Sequence, residues 1–127
     1  MNLDEAPKQA QPGVRSYALL DPATKGPYLE FYKHTYSDKG AALDRKTKEL
    51  IAIGVALALD CKNCVDGHIK KAIKDGATRE ELSETIAVAL GVAAAAIVDR
   101  SDLAGQRLGL AFDTIPSGAA SSTNKPA

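Results

Sequence analysis

Two long apolar runs constrain the fold of this chain more than any other feature. No polar side chain occurs from Leu50 to Leu59, nor in the second run from Ile86 to Val98. Both runs are rich in alanine, which is a strong helix former. The first run could also be a buried strand, but with the charged Lys48-Glu49 before it the segment exceeds the usual strand length. It is also shorter than the roughly 20 apolar residues that span a bilayer. We therefore expect two apolar helices.

The composition agrees with an all-α domain. At 127 residues, the chain has the length of one domain with one core. Aromatic residues make up only 5%, tryptophan is absent, and most apolar residues are Ala, Leu, Ile and Val. Such a composition suits close helix packing better than a β-sandwich. The sequence therefore predicts an all-α fold.

Capping residues indicate where the first two helices begin. Asp21 followed by Pro22 starts the first helix, which runs through Tyr36, with a start delayed to Pro27 as the alternative. Asp44 is placed to cap the second helix, which carries the first apolar run. Each helix thus has its own start signal in the sequence.

A short turn separates the third predicted helix from the fourth. The third follows the cysteine pair and ends at Asp75-Gly76, because glycine suits the left-handed conformation at a helix C-terminus. Thr78 and Glu81 have the spacing of a capping box, in which each side chain binds a free backbone N–H. The fourth helix begins there, carries the second apolar run, and is expected to continue past a break near Asp99 to Leu110.

The two ends of the chain differ in composition from its middle. Residues 1–16 are rich in Gln, Pro and charge without periodicity, and residues 113–127 form a low-complexity tail. We expect a flexible N-terminal arm, a single helical domain over residues 17–112, and a flexible C-terminal tail.

Two helices that are apolar on nearly every side are difficult to bury in so small a domain. Four or five helices cannot enclose both of them without a neighbouring chain. The sequence therefore predicts a homo-oligomer.

The charge balance argues against two classes of partner. Sixteen Lys and Arg offset sixteen Asp and Glu, so no basic field draws nucleic acid or an anionic membrane surface to the protein. The first twenty residues lack the basic and apolar regions of a secretory signal, so we expect a cytoplasmic protein. Structural disulfides are rare there, which makes a Cys-x-x-Cys pair more plausible as a reactive or metal-binding element.

The stretch DCKNCVDGH contains both cysteines and one of the two histidines. On a helix, Cys61, Cys64 and His68 fall within a sector about 60° wide. Cys64 and His68 are four residues apart, close enough for the imidazole to take the thiol proton. Cys61 and Cys64 lie within the Cα separation that a disulfide accepts. The three side chains therefore share one helix face.

A helix that starts at this stretch would activate the thiols. If Asp60 is the N-cap, both cysteines lie in the first turn, where the helix dipole and free N–H groups favour a thiolate. Lys62 adds positive charge nearby. Such a sulfur is nucleophilic near neutral pH, and the second cysteine can trap its oxidised form as a disulfide.

Two other interpretations of the cysteine pair stay open. Free cysteines are often small core residues, and a single helical histidine is often structural. A structural zinc site needs four ligands, and the other histidine, His34, belongs to a distant helix, although an Asp or Glu could complete a set. Asp66, Lys62 and Lys70 are expected to be solvated. Redox chemistry is the favoured interpretation.

Glu49 immediately precedes the first apolar run. A glutamate in the first turns of a helix is ordinarily a solvated charge that interacts well with the helix dipole. At the mouth of an apolar helix, however, its carboxylate could reach the next helix and orient His68 or receive a proton from it. Both interpretations stay open.

These residues together resemble a known superfamily. The order of Glu49, eleven residues, Cys61-x-x-Cys64, three residues and His68, followed by KKAIKDGATREEL, is similar to the carboxymuconolactone decarboxylase and alkyl hydroperoxidase D superfamily. The likeness covers residues 20 to 110 approximately and is strongest for single-repeat members that carry the cysteine pair. It implies an all-helical fold that assembles into trimers or hexamers.

The resemblance also implies roles for the site residues. In the peroxidase branch Cys64 would attack the peroxide, Cys61 would resolve the sulfenic acid to a disulfide, and Glu49 and His68 would form the proton relay. A dithiol or a lipoylated protein would reduce the disulfide, and no metal or flavin is required. Lys62 and Asn63 depart from the alkyl hydroperoxidase D proteins, which carry a histidine just before the second cysteine.

Three functional hypotheses follow from these observations. The leading one is a thiol-disulfide peroxidase that works through a Cys61–Cys64 cycle. The second is a lyase like carboxymuconolactone decarboxylase, with Glu49 and His68 as acid and base. The resemblance counts against it, since the decarboxylase branch lacks this cysteine pair. The third is a non-catalytic redox-sensing or metal-binding module.

Overall fold

The first helix begins at the predicted aspartate cap. The computed structural model describes residues 17–112. In α1 (Pro22–Thr35), the Asp21 side chain accepts a hydrogen bond from the Thr24 N–H at 2.9 Å. Pro27 lies inside the helix, so the alternative start there is wrong. Pro27 has no N–H for the Ala23 carbonyl, and this is tolerated because Ala23 is exposed and water can bind that carbonyl.

The second and third helices form an antiparallel hairpin. In α2 (Arg45–Ala58), the predicted cap is confirmed, since Asp44 accepts from the Thr47 N–H at 2.7 Å. A three-residue connection leads to α3 (Lys62–Lys74), and this is the most extensive helix pairing in the described chain. So short a connection obliges the two helices to pack side by side.

The predicted capping box starts the fourth helix. Thr78 Oγ1 accepts from the Glu81 N–H at 3.1 Å, and Glu81 Oε2 accepts from the Thr78 N–H at 2.8 Å. The other Glu81 oxygen lies 2.7 Å from Lys46 Nζ in α2, and this hydrogen bond lowers the pKa of the Glu81 carboxyl. The start of α4 is thereby attached to the start of α2.

The fourth helix is continuous, α4 (Arg79–Leu108), and the predicted break near Asp99 is wrong. Asp99 is preceded by a run of alanines, and the residues around it include no proline. The helix ends two residues before the expected Leu110, at a left-handed Gly109 with φ +69°. Glycine adopts this conformation without a steric penalty.

The described residues have a very small buried core. The buried apolar side chains are Ile53 and Ala56 of α2 and Ala72 of α3. The two alanines allow α2 and α3 to approach closely. Much of the apolar surface of α2 is exposed, and α4 has no buried residue at all, with Val88 and Leu90 both 68% exposed. Large apolar surfaces of this kind mark an interaction site.

The long apolar helix also meets the requirements of a membrane span. Among the described helices α4 alone is long and apolar enough, and its best 18-residue window has a mean hydropathy of 1.7. Length and composition are weak evidence by themselves, since helices at the centre of soluble proteins have the same properties.

The described residues confirm an all-α fold, because all four of their regular elements are helices. Backbone contacts divide the chain into two compact units, with the boundary inside α4 between Gly91 and Val92. The first unit contains α1, α2, α3 and the start of α4. The flexible arm and tail predicted for residues 1–16 and 113–127 lie outside the described residues.

Candidate active site

The turn between α2 and α3 positions the cysteine pair. Asp60 adopts a left-handed conformation with φ +53°, and the Cys61 N–H donates to the Ala56 carbonyl at 2.9 Å. The Asp60 N–H donates to the Leu57 carbonyl at 3.3 Å. These two bonds form a Schellman motif, which is normally completed by glycine and sometimes by a short polar residue.

Asp60 is therefore not the N-cap of α3, contrary to the prediction. Its backbone terminates α2, and the N-cap position of α3 is taken by Cys61. Cys64 becomes the third residue of the helix, so both sulfurs still belong to its first turn. The positive end of the helix dipole favours a thiolate at this end of α3.

Cys61 and Cys64 are joined by a disulfide, with their Cα atoms 5.2 Å apart. The bond links the N-cap residue of α3 to the third residue of the same helix, so it closes within one helical turn.

Glu49 is buried and bound to His68. The residue is only 1% exposed, and its Oε2 lies 2.5 Å from His68 Nδ1. The interpretation of Glu49 as a solvated charge is therefore wrong, and the alternative contact with His68 is confirmed. With Glu49 ionised, Nδ1 carries the hydrogen and Nε2 is the nitrogen left for proton transfer.

The four predicted site residues thus meet on two adjacent helices. Glu49 comes from the first turns of α2, whereas Cys64 and His68 lie on one face of α3 at a separation of four residues. Cys61 joins them through the disulfide. The arrangement brings together two sulfurs, an imidazole and a carboxylate bound to that imidazole, which are the side-chain types that nucleophilic catalysis uses.

The other polar residues near the cysteine pair face solvent. Asp66 and Lys70 form an exposed ion pair at 2.8 Å, and Lys62 is also exposed, as expected. His34 of α1 is exposed as well. Within residues 17–112, no group of three or more His, Cys, Asp or Glu is arranged to hold a metal ion.

Tyr36 is a member of the site that the sequence did not reveal. It follows α1, and its ring stacks on the His68 imidazole with centroids 5.7 Å apart and planes inclined by 21°. Burial, followed by the neighbouring Tyr32 and Glu49, raises the pKa of the Tyr36 phenol above its usual range. The spacing of Tyr28, Tyr32 and Tyr36 predicts an aromatic stripe, but not the helix that it contacts.

A groove of about 390 Å³ lies beside Cys61 at the α2 to α3 turn. One residue of the disulfide, Cys61, is part of its lining. Its walls are mostly apolar, with charged groups among them, and consist of Ala56, Leu57, Asp60, Cys61, Lys62, Val65, Asp66 and Ile69.

Two curated proteins are similar in sequence to part of this chain. The chain is 40% identical over 82 residues to "Uncharacterized protein 4 in cox locus" of Paracoccus denitrificans, covering 65% of this chain and 68% of that protein. It is also 40% identical over 47 residues to an uncharacterized protein of Cupriavidus necator, covering 37% and 42% of the two chains. The chain therefore spans less than half the length of the second relative.

Solved structures agree on the helical fold. A crystal structure of an apo carboxymuconolactone decarboxylase family protein from Legionella pneumophila matches with a TM-score of 0.52 and 38% identity, over 56% of this chain and 62% of that one. A protein from Methanobacterium thermoautotrophicum matches with a TM-score of 0.60 and 25% identity, over 65% and 93%. The model of the carboxymuconolactone decarboxylase family matches residues 22–101, which include every residue of the site. The chain belongs to the carboxymuconolactone decarboxylase family.

Proposed function

We propose that this protein is a thiol-disulfide peroxidase of the alkyl hydroperoxidase D type. The observation that carries the proposal is the buried Glu49 carboxylate bound to His68, one helical turn from a cysteine pair that forms a disulfide. Burying a carboxylate costs free energy unless it is paired or hydrogen-bonded. Here the partner of Glu49 is the imidazole of His68, which shares a face of α3 with Cys64. Reduction of a peroxide by thiols needs a cysteine pair that can form a disulfide and a base that takes the thiol proton, and these groups are adjacent here.

The oxidative half-reaction begins with Cys64. Nε2 of His68 takes the Cys64 thiol proton, and Glu49 stabilises the resulting imidazolium through Nδ1. The thiolate attacks one peroxide oxygen, so that an S–O bond forms and the O–O bond breaks. The leaving group, an alkoxide from an organic hydroperoxide or hydroxide from hydrogen peroxide, takes the proton from His68 and departs as an alcohol or as water. Cys64 is left as a sulfenic acid, oxidised by two electrons.

Cys61 completes the cycle. Its sulfur attacks the Cys64 sulfenic acid, the S–S bond forms, and the S–O bond breaks with release of water. A dithiol, either a small molecule or the lipoyl group of a protein, then returns two electrons and two protons by thiol-disulfide exchange. The groove that Cys61 lines supports this step, since it offers a place beside the disulfide where a dithiol could bind. The cycle uses no metal or flavin.

Mass spectrometry of the reduced protein tests this proposal. One equivalent of hydrogen peroxide or an organic hydroperoxide should remove both titratable thiols and lower the mass by two hydrogens. Peptide mapping should identify an intramolecular Cys61–Cys64 disulfide, because the two sulfurs are already within bonding reach. The peroxidase proposal would be excluded if both thiols were retained after a tenfold excess of hydrogen peroxide and also after a tenfold excess of the organic hydroperoxide.

We also propose that the active form is a homo-oligomer, a trimer or hexamer, in the cytoplasm. The exposed apolar residues of α2 and α4 support this, because copies of the same chain could cover them without nucleic acid or membrane partners. Sedimentation at micromolar concentration without detergent should give a mass of at least three chains. A clean monomer would contradict the oligomer, and a requirement for detergent would favour a membrane location for α4.

A further inference from the structure

All four tyrosines of the chain form one line that ends at His68. Consecutive ring centroids are 5.3 Å apart for Tyr17 and Tyr28, 6.4 Å for Tyr28 and Tyr32, and 4.9 Å for Tyr32 and Tyr36. The four-residue spacing of Tyr28, Tyr32 and Tyr36 places their rings side by side on any helix, so the stripe alone does not indicate a function. Tyr36 differs from the others because its ring contacts the base of the proposed site.

The hydrogen bond to Glu49 holds the His68 ring at one edge only, through Nδ1. Small changes in χ1 and χ2 still tilt the imidazole plane within the tolerance of that bond. Proton transfer needs Nε2 to be aimed along α3, in the direction of Cys64. A ring stacked on one face at 21° supplies the missing restraint on the plane.

Tyr36 is itself held in position. The carbonyl of the next residue, Ser37, accepts from Lys48 Nζ of α2 at 2.9 Å. Lys71 of α3 lies 5.8 Å from the Tyr36 ring centroid and donates to the Tyr32 hydroxyl at 3.3 Å. The Tyr36 ring thus contacts residues of α1 and α3, and its neighbour Ser37 is bound to α2.

We infer that Tyr36 is a positioning residue, whose ring holds the His68 imidazole in the plane that Glu49 and Cys64 require. The inference rests on the proposed function only for its kinetic test. The raised pKa of Tyr36 supports it, since the phenol stays neutral wherever the thiols react and the stacking surface does not change with pH. The stacked aromatic ring restrains the imidazole, and the Tyr36 hydroxyl is not needed for this restraint.

Matched variants test the inference. Tyr36→Phe keeps the ring, and we expect its rate of thiol oxidation by peroxide to stay within about twofold of the wild type. Tyr36→Leu removes the ring and should slow oxidation about tenfold. Its rate of disulfide reduction by a small dithiol should change less than twofold, because that step does not use His68. Tyr28→Leu, on the same stripe but away from His68, should behave as wild type.

Nitrogen NMR of the reduced protein separates this inference from the peroxidase proposal. His68 should give a single Nδ1–H tautomer in the wild type and in Tyr36→Phe, with its signals assigned through His34→Gln, and a second tautomer in Tyr36→Leu. This readout needs no turnover, so it stands even if peroxide proves not to be the substrate. If Tyr36→Leu does not fold, two exchanging tautomers in the wild type would still overturn the inference. Equal oxidation by Tyr36→Leu and wild type, or an equal loss in Tyr28→Leu, would also overturn it.

Discussion

Replacing Cys64 by serine is expected to abolish dithiol-driven consumption of peroxide, down to the rate of the dithiol alone. Serine occupies nearly the same volume at the start of α3, but its hydroxyl is a very weak nucleophile toward a peroxide oxygen at neutral pH. The hydrogen-bonded Glu49 and His68 would remain in place, but they would have no thiol to activate. Peroxide loss followed by a colorimetric assay under steady-state conditions measures the effect.

Cys61→Ser is the matched control for this substitution. It removes the resolving sulfur and keeps the nucleophile, so one equivalent of peroxide should still oxidise Cys64 at a rate close to that of the wild type. The product should be a sulfenic acid, trapped by a dimedone reagent, because no second thiol is available to close the disulfide. An undiminished steady-state rate in Cys64→Ser would contradict the peroxidase proposal. If the dimedone reagent traps a sulfenic acid on Cys61 in Cys64→Ser, then Cys61 is the attacking cysteine and Cys64 the resolving one.

Local signals in the sequence predicted the helices well. Each helix cap depends on two residues three positions apart, so it can be predicted without knowledge of the tertiary fold. This holds for the caps at Asp21 and Asp44 and for the capping box of Thr78 and Glu81. The shared face of Cys64 and His68 follows in the same way from the helical period. Such features are decided within one turn of helix.

The features that the sequence left open or concealed depend on packing between helices. The sequence permitted Glu49 to be either solvated or bound to His68, and only the hairpin of α2 and α3 decides between these states. The stack of Tyr36 on His68 needs the placement of α1 as well. Asp60 failed as a cap for a related reason, since the three-residue connection uses it to terminate α2 before α3 can begin.

The second large effect is expected from Glu49→Gln, which should slow oxidation of Cys64 by about 100-fold. Glutamine has nearly the same shape and its carbonyl can still accept the Nδ1 hydrogen bond, so the fold should be retained. It brings no negative charge, however, and the imidazolium that forms when His68 takes the thiol proton loses its stabilisation. The thiol must then be ionised by solvent, so the pH at which oxidation reaches half of its maximal rate should rise. Stopped-flow oxidation between pH 5 and 10 measures both effects.

Glu81→Gln is the matched control for the Glu49 substitution. Glu81 lies in the first turn of α4 and forms a salt bridge with Lys46, but it is solvent-accessible and does not belong to the α2–α3 pair that carries the site. Its replacement should leave the oxidation rate and the pH profile unchanged. Because the pKa of the Glu81 carboxyl is lowered in the folded protein, its contribution to stability is present at neutral pH and is lost on acidification. An unchanged rate and profile in Glu49→Gln would mean that the buried carboxylate serves only to hold α2 against α3.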